Sequence, residues 1–420
     1  MNVIQFLRNN ISRICLTAFL IYSPFLTYGQ EKIYGLLYTD MQPVSITIRD
    51  GLIKDVKRMN KLPKGTQPLI IAPGFIDNQV NGFAGISFST GNSELTAEGI
   101  RNATYAIWRT GVTTFLPVIN TNDPGLIKKN IVALAHMKDE PSLLGSIPGF
   151  HMVGPYISPV DGYRGTHPLK YVKKPDWQEF HDLYESSGRS ILQVTLAPEL
   201  EGAMEFIDKC ISGGIVVALG NHNASSAIIS EAIERGAKIA TNIGSGLAEN
   251  IRKSENPLWP QLSDDRLLAS LVCDKFNLRP EEINVFYKVK GPSGTIIASD
   301  VTKYASLQPG NYKTDYGDQV ELTGEGMLKY AGQDIVYGSA SPIKDGVANL
   351  MNITGCSLSD AFMMASTNPA KLYGFSDRGS VEAGKRADII MFRIIDSEIV
   401  ISKTFVKGNL VYDTTTPDSR

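Results

Sequence analysis

ILQVTLAPELEGAMEFIDKCISGGIVVALGNHNASSAIISEAIERGAKIATNI, residues 191–243, is the stretch that decides the fold. Three short apolar runs, Ile191–Ala197, Ile215–Leu219 and Lys238–Ile243, are separated by two stretches with helical patterning, Ala203–Ser212 and Ser225–Arg235. Apolar runs of this length read as strands buried on both faces, and their alternation with helices reads as a parallel sheet. Gly236 follows the second helix, where a helix C-cap favours glycine. Polar residues stand at the strand ends: Glu199 after the first, Asn221 and His222 after the second, Asn242 at the end of the third. In a βα-barrel that end of each strand is where the chemistry is placed.

The same unit recurs outward in both directions. Further strand candidates are Leu69–Ile76, Val112–Val118, Gly149–Gly154, Leu267–Cys273 and Thr295–Ser299, with helical patterns at Thr96–Arg109, Leu126–Met137 and Trp177–Ser186. Eight strand candidates make an α/β fold with a (β/α)8 TIM-type barrel the natural closure. A doubly wound open sheet is the alternative, but its G-x-G-x-x-G signature is absent after the first strand. Residues 31–70 and 395–413 carry short β patterns with turn signals at Asp50-Gly51 and Lys407-Gly408-Asn409. The expected organisation is therefore a signal peptide over 1–29, a barrel over 71–375, and a small β-sandwich domain formed by both ends of the mature chain, 30–70 and 376–420. Residues 303–330 read as loop-rich, and Ser357–Leu372 as a helix.

Composition narrows the function. The 420 residues are 43% apolar and 20% charged with a net charge of −2. That balance is globular and gives no reason to expect nucleic acid or an anionic membrane surface as partner. Arg8 and Arg13 precede the apolar run Ile14–Leu26, and Gly29 offers a small residue before Gln30. This is the pattern of a secretory signal, too short for a typical membrane span, so the protein is expected to be exported to the periplasm or the exterior. An uncleaved anchor is the other reading. Removing the segment takes Cys15 and leaves Cys210, Cys273 and Cys356, which form no zinc signature and are read as buried thiols, with one disulfide as the alternative.

The candidate site is a set of polar residues at the barrel's strand ends. Asp77, Gln79 and Asn81 follow the first strand, His151 closes the third, Asp274 and Asn277 follow the seventh, and Asp300 ends the eighth. Any one asparagine here also fits a turn or a helix cap. Several at barrel strand ends point to a shared pocket.

Ala72–Gly82 (APGFIDNQVNG), Gly111–Pro117, Gly149–Pro159, Gly165–Pro168, Val194–Glu199, Ala370–Leu372 and Ala383–Asp388 together resemble the N-acetylglucosamine-6-phosphate deacetylase family of the amidohydrolase superfamily. The motifs span nearly all of the mature chain in the expected order. The resemblance implies deacetylation of an amino sugar with a bound divalent metal, a catalytic aspartate and a substrate-holding histidine. The aspartate falls on Asp300. The metal glutamate falls on Val153, the two metal histidines on Asn221 and Asn242, and the substrate histidine on Asn277. A phosphate-gripping arginine, contributed across a homodimer, falls near Arg252 or Lys253. His167 also matches a family histidine.

These substitutions separate lineage from activity. Valine coordinates nothing, and asparagine offers a neutral carbonyl oxygen where zinc takes thiolate, imidazole or carboxylate. No metal is expected, and zinc or iron would bind only if His222 or His151 replaced the missing ligands. Two functions follow. One is a deacetylase-like amidohydrolase with lost or altered activity, using Asp300 as general base and amides or backbone N–H groups near Ser245 and Gly246 to stabilise an oxyanion. The other is a non-catalytic, exported carbohydrate-binding protein, with Gln79, Asn81, Asn221, Asn242 and Asn277 lining a carboxamide pocket for an amino sugar or related carbohydrate. Export favours a change of ligand, because sugar phosphates are mainly cytoplasmic metabolites.

Overall fold

The computed structural model describes residues 30–89, 95–248 and 250–414. The expected signal segment lies outside the described residues. Eight parallel strands form the barrel: β1 (Phe75–Val80), β2 (Val112–Asn120), β3 (Phe150–Val153), β4 (Ile191–Leu196), β5 (Val216–Leu219), β6 (Ile239–Ala240), β7 (Leu268–Leu271) and β8 (Thr295–Ile297). They pair in chain order from β1 to β8. A parallel bridge between Val80 and Val301 brings the last strand to the first, and the Asn81 N–H donates to Val301 O at 2.8 Å. A helix follows each strand: α1 (Ala97–Trp108), α2 (Pro124–Lys138), α3 (Trp177–Ser186), α4 (Ala203–Ser212), α5 (Ser226–Glu234), α6 (Leu258–Ser263), α7 (Pro280–Lys290) and α8 (Ile343–Thr354). The barrel expected from the strand–helix repetition is thus present and nearly closed.

The two chain ends form a separate seven-stranded mixed sheet. Its order is 409–413, 398–406, 389–395, 70–73, 31–37, 43–49, 52–58. Val44, Ile46, Ile53, Ile71, Ile389 and Phe405 make its buried layer. Asp50-Gly51 and Lys407-Gly408 both take positive φ at their two central residues, as tight hairpin turns of this hand require.

Three elements differ from the sequence expectation. The run Leu69–Ile76 divides at Gly74: Ile70–Pro73 joins the terminal sheet, and the barrel strand starts at Phe75. Gly74 crosses so close to β2 that a Cβ there would lie 2.2 Å from the Thr113 side chain. Apolar content alone could not show which sheet each half joins, and the shift places Asp77 and Gln79 inside β1 rather than after it. Residues 310–338, within and beyond the loop-rich segment, form a four-stranded antiparallel sheet around Tyr304, Val320, Leu322 and Leu328. Its strands are only three or four residues long, so the turn residues between them dominated the pattern. The helical segment Leu358–Leu372 winds as a π-helix over Met363–Thr367, just before Pro369, which has no N–H to continue the ladder.

Phe362 ties the barrel to the terminal sheet. Its ring stacks on Phe75 at 5.1 Å, lies 5.6 Å from Phe392 and meets Tyr38 edge-on at 5.4 Å. All three phenylalanines are fully buried. Phe362→Ala should destabilise the protein by about 3–5 kcal/mol in urea unfolding, the usual result of emptying a buried aromatic site. A loss below about 1 kcal/mol would contradict this role.

Candidate functional site

The strand ends place their polar side chains through an uncommon backbone conformation. Asn221, Asn242 and Asp300 take φ of 51°, 53° and 49° shortly after β5, β6 and β8. Asn and Asp tolerate this left-handed region better than most residues, so the chain turns out of each strand there without glycine. Residues from seven of the strands, or from the segments just after them, meet in one cavity at the barrel's C-terminal mouth. Gln79, Asn81, Asn221, Asn242, Asn277 and Asp300 line it, with Ser245, Gly246 and Val153.

Asp300 is the centre of the arrangement. Its Oδ1 accepts from Gln79 Nε2 at 2.8 Å and from Asn81 Nδ2 at 2.7 Å, and its Oδ2 accepts from Asn242 Nδ2 at 3.0 Å. Asn81 is held in turn by Asn120, whose Nδ2 donates to Asn81 Oδ1 at 2.8 Å. An ionised carboxylate only accepts, so each of these amides must present its nitrogen to Asp300. Burial pushes the Asp300 carboxyl up to about 6, against the three hydrogen bonds that favour its charged form.

The other amides are fixed the same way. Asn277 Nδ2 donates to Asp274 Oδ2 at 2.6 Å, and Asn221 Nδ2 donates to the Tyr163 carbonyl at 3.1 Å. Asp274 Oδ1 accepts the backbone N–H of Phe276 and Asn277, so Asp274 braces the loop that carries Asn277. Asn242 Oδ1 is buried and has no partner.

The histidines serve the scaffold. Neither His151 nor His222 lines the cavity. His151 Nδ1 meets the Asn78 carbonyl at 3.0 Å and must donate, which leaves Nε2 to accept from Thr195 Oγ1 at 2.7 Å and Gln193 Nε2 at 2.9 Å. His222 Nδ1 accepts from the Ala224 N–H at 3.3 Å. His167 does line the cavity, with Nδ1 at 2.9 Å from Thr121 Oγ1. Burial holds these imidazoles down, His151 to about 3 and His167 and His222 to about 4.

Asp77 is fully buried in β1 and does not reach the cavity. Its Oδ1 accepts from the Gln79 and Ser299 N–H groups at 3.3 and 3.2 Å, tying β1 to β8, and burial pushes its carboxyl up to about 6. Arg252 lies away from the cavity, with its side chain 82% exposed and paired to Glu255.

The sequence pattern missed part of the lining. Lys303, Tyr304, Asp315, Tyr316 and Tyr337 come from the segment after β8 and its small sheet. Lys303 Nζ donates to Asp315 Oδ1, and the Tyr316 hydroxyl donates to the Thr121 carbonyl at 3.1 Å. Asn120 was missed because β2 runs two residues past the expected end at Val118. The alternation in Gln319–Leu322 was the available signal for the small sheet.

The residues present do not fit a divalent transition metal. Among the described residues no group of three or more His, Cys, Asp or Glu is placed to hold one. A cation beside Asp300 would also meet the N–H ends of Gln79, Asn81 and Asn242.

Comparison with known proteins gives consistent matches. A model of the amidohydrolase family matches residues 70–256 and 322–411. The N-acetylglucosamine-6-phosphate deacetylase of Danio rerio is 30% identical over 353 residues, covering 82% of this chain and 84% of that protein. The one of Bacillus subtilis is 27% identical over 347 residues, covering 82% and 85%. Among solved structures, a mutant N-acetyl-D-glucosamine-6-phosphate deacetylase from Mycobacterium smegmatis in complex with N-acetyl-D-glucosamine-6-phosphate shares the fold, with a TM-score of 0.80 at 21% identity over 91% of this chain and 99% of that one. The Thermotoga maritima enzyme gives a TM-score of 0.79 at 23% identity, over 91% and 100%.

The buried imidazoles lead to a direct check. The ring resonances of His151, His167 and His222 should keep neutral-form shifts as the pH is lowered from about 8 to about 5. A protonation midpoint inside that range for any of the three would contradict the burial described.

Proposed function

The chain belongs to the N-acetylglucosamine-6-phosphate deacetylase family of the amidohydrolase superfamily, and on that premise we propose that it binds an amino sugar in the barrel-mouth cavity, with the family's metal-dependent amide hydrolysis lost or altered. The observation that carries this reading is the clamp on Asp300, whose carboxylate takes three carboxamide N–H donors. By the family resemblance, Val153, Asn221 and Asn242 occupy the metal-ligand positions. Valine supplies no donor, and Asn242 turns its nitrogen toward the carboxylate. Without a metal-bound hydroxide, hydrolysis must start from ordinary water, with a pKa of about 15.7 against roughly 7 on zinc. An amino-sugar ligand is supported by the M. smegmatis relative, which holds N-acetyl-D-glucosamine-6-phosphate, and by a cavity rich in carboxamides, which suit sugar hydroxyls.

One observation favours a second reading, slow metal-independent hydrolysis. Burial holds the Asp300 carboxyl near pH 6, inside the range useful for a general base. Deacetylation of N-acetylglucosamine and its 6-phosphate, assayed with and without added zinc alongside calorimetric binding, separates the two. Sugar binding without turnover is the expected result. Zinc-independent turnover abolished by Asp300→Ala would favour the second reading. Turnover that rises with zinc and saturates near one ion per chain would overturn both.

A further inference from the structure

The polar wall of the cavity is unbalanced, and the imbalance names a ligand class. Asn221, Asn242 and Asn277 line the cavity, and each donates one of its two N–H groups to an acceptor of the protein: the Tyr163 carbonyl, Asp300 and Asp274 respectively. Among the described residues none of their side-chain oxygens has a hydrogen-bond partner, and that of Asn242 is buried. Asp300 Oδ1 accepts from two amides, but Oδ2 accepts from only one, which leaves an acceptor site on the oxygen held by Asn242. Among the described residues three charged ones line the cavity: Asp300, Asp315 and Lys303. Lys303 is neutralised by Asp315. His167, the lining imidazole, is held neutral by burial. The cavity therefore presents open acceptors and one uncompensated carboxylate.

We infer that the cavity selects an amino sugar by its free, protonated amine rather than by an N-acetyl group. This rests on the amino-sugar reading above and deepens it. An ammonium brings three donors and a positive charge, matching Asp300 Oδ2 and the uncommitted carboxamide oxygens. An N-acetyl group brings a single N–H and no charge to set against Asp300. Tyr304, Tyr316 and Tyr337 also line the cavity, and aromatic faces attract cations, as the Tyr304 ring already does with Lys303 Nζ at 5.5 Å. The Tyr316 ring is fixed by its hydroxyl bond to the Thr121 carbonyl.

The test is calorimetric titration of the purified protein with glucosamine, N-acetylglucosamine and glucose. Glucosamine should bind on the order of tenfold or more tighter than either of the others, the scale of one hydrogen-bonded charge contact. Asp300→Asn should erase that preference. Lys303→Gln, which removes the cation from the cavity wall, should tighten glucosamine binding, a gain that misfolding cannot mimic. Equal or tighter binding of N-acetylglucosamine overturns the inference while leaving the amino-sugar reading in place. Binding of none of the three overturns both. Glucosamine binding that appears only with added calcium overturns the inference, because the cation would then be the group those oxygens hold.

Discussion

Everything at the barrel mouth is arranged around one buried carboxylate. Asp300 sits where burial disfavours its charge, and Gln79, Asn81 and Asn242 offset part of that penalty with charge-assisted hydrogen bonds. The three donors come from β1, from the loop after it and from the turn after β6, so the clamp depends on the barrel closing in this register. It closes beside the clamp: the Val80–Val301 bridge and the Asn81 N–H bond to Val301 lie next to Asp300 in the chain. Asp77 makes the parallel tie one layer deeper by holding the Ser299 N–H. Fold and site are joined at the β1–β8 seam.

On the proposed reading, the same clamp explains how the family's scaffold persists with Val153, Asn221 and Asn242 where the resemblance places metal ligands. A buried charge is retained only when it is paired or hydrogen-bonded. With Val153, Asn221 and Asn242 at the positions the resemblance assigns to metal ligands, amide dipoles take the role of stabilising Asp300. A carboxylate whose neighbours present N–H groups offers a divalent metal too few lone pairs, but leaves Oδ2 able to accept from a ligand that brings its own donors. The buried histidines follow the same logic. His151 spends both ring nitrogens on the barrel interior, and His222 faces its own loop.

Much of this was legible in the sequence. Short apolar runs separated by helical periods carried all eight barrel strands, and the polar residues written at their ends include six that line the cavity, Asp300 and the amides that hold it among them. Asn221, Asn242 and Asn277 were readable because a strand end is a fixed place in a βα-barrel. What escaped was set by contacts the pattern does not encode. The division of Leu69–Ile76 at Gly74 depends on how closely the chain passes Thr113. Tyr337 comes from a strand too short to show a period, and Lys303, Tyr304, Asp315 and Tyr316 come from turns. The direction of each carboxamide, on which the chemistry turns, follows only from partners distant in sequence, such as Asp300 for Gln79 and Tyr163 for Asn221.

The most direct measurement is metal content by elemental mass spectrometry after dialysis against zinc, for the natural chain and for a variant carrying Val153→Glu, Asn221→His and Asn242→His. If the amide clamp has replaced a metal centre on an otherwise intact scaffold, the natural chain holds well under one ion and the variant holds about one. Equal, near-stoichiometric zinc in both would contradict that replacement.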